Sequence, residues 1–181
     1  IFYGDIPNNP NQLDFEKALE SIDDNLKNLY IESFYQERNA YKSKSYQDWI
    51  NLHSPYDSIL DILKLCSEKE LLFMVTGKDK SSVKDLLDYF APEVTVQKIY
   101  DKHAVENKLI ALLKIAEEHD CQNDEIKFID DNVTHLYEPQ KSKFNIGLAK
   151  WGYAMPDHII EAEKRNIPIL ALSDLKEFIG L

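Results

Sequence analysis

The sequence predicts an α/β protein, a Rossmann-like parallel sheet with helices on both faces joined to a small helical lobe. Three observations predict it. Residues 13–64 repeat apolar side chains at spacings of three and four, the period of a helix. After residue 70, short apolar runs alternate with amphipathic stretches, the rhythm of strand, helix, strand, helix. Of the 181 residues, 44% are hydrophobic, the share of an ordinary globular protein with a core to bury.

The elements follow in order. Pro7 and Pro10, with asparagines nearby, break the chain ahead of the first helix. Phe15, Leu19, Ile22, Leu26, Leu29 and Tyr30 then fall on one helical face. Further helical stretches are expected near residues 30–41 and 46–53, and Ser54-Pro55 introduces an amphipathic segment with Ile59, Leu60, Ile62 and Leu63. The aromatic residues Tyr35, Tyr41, Tyr46 and Trp49 read as helix-against-helix packing in preference to a pocket lining. Residues 71–75 are apolar and fit a buried parallel strand. Ser81 or Ser82 can cap a helix running to residue 90, and residues 94–100 read as a second strand. Residues 103–119 form a helix with Val105, Leu109, Leu112, Leu113 and Ala116 on one side, and residues 126–129 a third strand. Residues 145–151, 156–165, 168–172 and 174–179 supply a strand, a helix, a strand and a closing helix.

Composition excludes several functions. The 32 acidic residues against 21 basic ones give a formal charge of -11, which repels a phosphate backbone, so general nucleic-acid binding is not expected. Cys66 and Cys121 form no CxxC and have no histidine at ligand spacing, so they read as free thiols of a reducing cytoplasm. No apolar run approaches the roughly 20 residues of a membrane span, and no signal-peptide pattern opens the chain; a soluble cytoplasmic protein with no membrane partner is expected.

In a parallel sheet, ligands bind beyond the carboxyl ends of the strands. Two strands end there in polar residues. Thr76-Gly77 gives a hydroxyl donor beside a backbone that can approach an oxyanion closely. Gly77-Lys78 is not a P-loop, because the earlier glycine is missing and Asp79 stands where the hydroxyl residue belongs. Asp130-Asp131 ends the third strand, and adjacent carboxylates repel unless something compensates them. A divalent cation such as Mg2+ does so with hard oxygen ligands. Lys108, early in the preceding helix, can reach the strand ends, and Lys102 competes for that role.

A strand-end threonine, a helix lysine and a strand-end acidic pair, in that order, resemble the later motifs of the haloacid dehalogenase superfamily over residues 60–181. Thr76 in Phe73-Met74-Val75-Thr76-Gly77-Lys78 is similar to the second motif, Lys108 in Val105-Glu106-Asn107-Lys108-Leu109 to the third, and Phe128-Ile129-Asp130-Asp131-Asn132 to the fourth. Lys150-Trp151-Gly152-Tyr153, a helix, Pro168-Ile169-Leu170-Ala171-Leu172 and a final helix look like the tail of phosphoglycolate-phosphatase-like members. The resemblance implies a helical cap over residues 8–58 and an α/β core from residues 1–7 and 59–181. It implies a Mg2+-dependent phosphatase that acts on a small phosphorylated metabolite through an aspartyl-phosphate. It also implies Thr76 and Lys108 as catalytic, Thr76, Gly77 and Lys108 as phosphate-binding, and Asp130 and Asp131 as Mg2+ ligands. The nucleophile motif Asp-x-Asp-Gly-Thr is absent from these residues; Asp5 is the nearest candidate, with Pro7 in the acid/base position. The expectation is a nucleophile strand upstream of Ile1, and hence an enzyme. Without it, the chain would be a catalytically silent relative that binds a phosphorylated ligand or a protein partner.

Overall fold

The computed structural model describes residues 12–56 and 58–181. The proline break, Asp5 and the assignment of residues 1–7 to the core lie outside the described residues. The chain divides into two compact units, the first ending at Ser54 and the second spanning Pro55–Leu181.

The first unit holds α1 (Gln12–Glu20), α2 (Asp24–Lys44) and α3 (Tyr46–Asn51). The helical break falls at residues 21–23 and not near residue 30. Asp23 starts α2 by accepting the N–H groups of Asn25 and Leu26, which satisfies donors that a helix start leaves open. That break splits the expected apolar face: Phe15, Leu19, Leu26, Leu29 and Tyr30 are all exposed. Of the four aromatic residues expected to pack helix against helix, only Trp49 is buried, and Tyr41 and Tyr46 are exposed. The Trp49 ring is buried and lies 6.1 Å from Tyr46 and 4.7 Å from His53, with the Lys42 ammonium 4.8 Å over its face. Tyr35 meets Phe34 edge-on at 5.5 Å.

The second unit runs α4 (Ile59–Lys69), β1 (Phe73–Val75), α5 (Lys80–Phe90), β2 (Lys98–Tyr100), α6 (Lys108–Glu118), β3 (Lys127–Asp130), α7 (Tyr137–Lys141), β4 (Asn145–Ala149), α8 (Pro156–Lys164), β5 (Ile169–Leu170) and α9 (Leu175–Ile179). This is the expected α/β architecture, with parallel strands and helices on both sides. Two helix starts differ from expectation. Asp79, not Ser81 or Ser82, caps α5, its carboxylate accepting the Ser82 N–H at 2.9 Å. The helix expected from residue 103 begins at Lys108, because Asn107 accepts the Ile110 N–H at 3.0 Å, while Asp101 accepts the His103 N–H and holds the preceding residues in a turn. A tight helical turn over Val133–Leu136, leading into α7, was not expected at all.

The strands form two parallel ladders, β1 with β2 and β3 with β4 and β5. Both rest on α6. Tyr100 and Lys98 of β2 reach Glu118 near its end, and the Phe73 ring of β1 lies 5.0 Å from His119. Leu112 and Ile115 of α6 share one core with Phe128, Ile146, Leu148 and Ala162, against which Phe73 and Val75 pack. A helix serving as the crossover between β2 and β3 covers both ladders and sets their carboxyl ends at one rim.

Candidate functional site at the end of the third strand

Asp130 is the last residue of β3, and its side chain is 5% exposed. A carboxylate so buried needs partners. Lys108 donates from Nζ to Oδ2 as an ion pair, His135 Nδ1 lies 3.0 Å from Oδ1, and the Asn132 N–H donates to Oδ1 at 2.9 Å. Each partner comes from a different local device. Lys108 is the first residue of α6, where the helix dipole disfavours a cation, so the carboxylate supplies the compensation that the helix start does not. Asn132 caps the following turn through the Thr134 N–H and hydroxyl, and that turn carries His135 back over the strand end. Burial alone would raise the Asp130 pKa; the hydrogen bond with His135, the charge and hydrogen bond of Lys108 and the Asn132 N–H outweigh it, and the carboxyl titrates below the ordinary aspartate range.

Asp131 faces differently. Its Oδ2 accepts the Tyr153 N–H at 2.9 Å, and its backbone carbonyl lies 3.3 Å from Nδ1 of the buried His158. Gly152 sits against it so closely that an added Cβ would fall 2.5 Å from both Cβ and Oδ2 of Asp131. No hydrogen bond among the described residues engages Oδ1, which leaves one hard oxygen open.

Thr76 follows β1. Its N–H donates to the Tyr100 carbonyl at 2.9 Å, and its hydroxyl accepts the Lys78 N–H at 3.0 Å. A Cβ at Gly77 would meet open space, so no neighbour among the described residues demands a glycine there. Among the described residues, the structure joins Lys108 to Asp130 directly and joins Thr76 to neither by a hydrogen bond. Lys102 lies in the turn after Asp101. Sequence reasoning gave no role to His135 or His158, and Asn132, Gly152 and Tyr153 entered it only as parts of the family-like segments. The one legible signal was Asn132-x-Thr134, a side-chain-capped turn that brings the next residue back toward the strand end.

The residues fit a hard cation in part. Adjacent carboxylates with one unengaged oxygen suit Mg2+, yet no group of three or more His, Cys, Asp or Glu among the described residues is placed to hold a metal ion. A cation bound there would need further ligands from phosphate, water or groups outside the described residues. Chemically, the site pairs a positive group with open carboxylate oxygen at the mouth of a parallel sheet, an arrangement suited to an anion whose charge a cation shares.

No helix among the described residues is long and apolar enough to cross a membrane. No family model matches the chain, and no curated protein matches it either. Among solved structures, a haloacid dehalogenase-like hydrolase family protein from Streptococcus pneumoniae is similar at a TM-score of 0.66 and 16% identity, over 92% of this chain and 74% of that one. The parallel-sheet unit and the helices around it therefore share a haloacid dehalogenase-like fold.

Proposed function

We propose that the chain is a Mg2+-dependent phosphatase of small phosphorylated metabolites, with residues 8–58 as the cap that selects them. The observation that carries this reading is the Lys108–Asp130 ion pair beside the partly open carboxylate of Asp131. An ammonium held at a strand end by a buried carboxylate is fixed in place and can neutralise a phosphoryl oxygen without reorganising. Thr76 and Gly77 would supply a hydroxyl and an approachable backbone to the other phosphoryl oxygens. Mg2+, with Asp130 and Asp131 among its ligands, would share the negative charge that develops on the transferring group.

The nucleophile carboxylate is proposed to come from a strand lying between β1 and β3. What supports this is that β1 and β3 each pair on one edge only among the described residues, while both pack on α6. The test is phosphate release from an aryl phosphate by the natural polypeptide, with and without Mg2+. Mg2+-dependent turnover is expected, and Lys108→Ala and Asp131→Ala are each expected to lower it by about 10² or more. Equal turnover in Asp131→Ala at saturating substrate would remove the metal role. The absence of Asp-x-Asp-Gly-Thr from the sequence favours one alternative, a silent relative that binds a phosphorylated ligand or a protein partner in the same cleft. Phosphate binding without turnover would decide for it.

A further inference from the structure

We propose that His158 is a positioning residue: through the main chain of Asp131 it fixes where that carboxylate points. His158 is the third residue of α8 and 4% exposed. Its Nδ1 faces the Asp131 carbonyl at 3.3 Å. A carbonyl only accepts, so Nδ1 carries the proton. The other ring nitrogen, Nε2, is buried without a hydrogen-bond partner among the described residues. A buried polar atom left unsatisfied is destabilising, and an apolar side chain of similar size would fill the space without that penalty. Packing therefore does not explain an imidazole at this position. What the imidazole adds is a donor aimed at one carbonyl of the acidic pair.

Two neighbouring features act on the same residue. The turn closed by the Gly152 N–H on the Ala149 carbonyl presses the glycine backbone against Asp131, and the next N–H, that of Tyr153, holds Oδ2. The carboxylate is thus gripped on one oxygen by the loop after β4, while its main chain is held from α8, and Oδ1 is left without a hydrogen bond among the described residues. His135, by contrast, meets the Asp130 carboxylate itself, with Nδ1 3.0 Å from Oδ1. Oriented in this way, a ligand carboxylate keeps one face ready, and loss of an outer partner of a metal ligand typically costs about 10–100-fold in affinity.

The inference rests on reading Asp131 as the ligand-facing carboxylate, but its test does not require activity. An amide donating to a carboxylate resonates downfield and exchanges slowly, so the Tyr153 amide proton reports the grip directly in the protein without substrate or cation. In His158→Leu that resonance is expected to move upfield, with exchange at least about tenfold faster as the grip loosens. His158→Asn, whose side-chain amide keeps a donor near the Nδ1 position, should retain both. A Tyr153 amide unchanged in His158→Leu, within an otherwise native spectrum, overturns the assignment, and so does equal loss in His158→Asn. Should the leucine variant fail to fold, the asparagine variant decides alone: retention supports the role and loss ends it. Failure of the phosphatase reading would show separately, as absent turnover with the Tyr153 response intact.

Discussion

In the cluster of Lys108, Asp130 and His135, one buried carboxylate serves two nitrogen groups. Removing one partner of a buried pair leaves the other uncompensated, at about 3–5 kcal/mol. Lys108 still reaches solvent, at 22% side-chain exposure, so Lys108→Met is expected to cost toward the low end, about 3 kcal/mol by urea denaturation. His135→Ala removes a half-exposed partner and should cost about 1 kcal/mol. The same carboxyl sets a pH dependence. Its folded pKa lies below the unfolded one, so the unfolded chain binds the extra proton. The stabilisation is complete above the unfolded aspartate range near pH 4 and is lost as pH falls through the folded value. The gap in urea midpoint between the wild type and Asp130→Asn should therefore narrow from pH 6 to pH 3; a gap that stays constant would deny the carboxylate this role. Lys108 and Asp130 were legible in the sequence because strand ends and helix starts are places a pattern can mark. His135 and His158 were not, since each reaches the pair through a turn or a tertiary contact that has no period.

Helix ends were the least legible elements, and the reason is physical. Three helices close with the same pair of bonds: Asp120 to Glu117 with Cys121 to Ala116 after α6, Lys143 to Gln140 with Phe144 to Pro139 after α7, and Asn166 to Glu163 with Ile167 to Ala162 after α8. Each places one residue in the left-handed region, at φ 50° for Asp120, 64° for Lys143 and 54° for Asn166. Glycine is the usual occupant and the usual sequence signal, but none stands at these three positions. Aspartate and asparagine tolerate this conformation; lysine has no such local compensation. Lys143→Gly is expected to stabilise by about 0.5–1 kcal/mol, read as a higher thermal midpoint. The reverse holds inside β4. At Gly147 an added Cβ would fall 2.4 Å from Leu170 Cδ1, so Gly147→Ala should destabilise by about 1–3 kcal/mol as β5 is forced away. An unchanged midpoint would mean that β5 yields freely. The strand expected to be buried over residues 71–75 is only partly so, Phe73–Val75 keeping intermediate exposure where β4 buries Ile146, Leu148 and Ala149, and most strands are shorter than expected because apolar residues such as Leu71 and Val94 extend beyond the paired segments.

At the scale of the molecule, the sheet raises its own question. Along a strand, successive N–H groups point to opposite edges. The Thr76 N–H bonds Tyr100 across the first ladder, and the Ile126 carbonyl accepts from Asn145 across the second. It follows that the N–H groups of Phe73 and Val75, and of Lys127 and Ile129, point away from their own ladders. These residues belong to strands whose side chains pack into one core, where unpaired backbone groups are costly. A single parallel strand between β1 and β3 would satisfy all four, join five strands into a continuous sheet and deliver its carboxyl end beside Lys108 and Asp131. Hydrogen exchange tests this without any assay of activity. In a polypeptide that carries an Asp-x-Asp strand ahead of residues 1–181, the amides of Phe73, Val75, Lys127 and Ile129 are expected to be protected to within about tenfold of the central-strand amides of Ile146 and Leu148. Exchange of those four at the rate of exposed loops, with β4 still protected, would leave the two ladders separate and take the nucleophile strand out of the proposal.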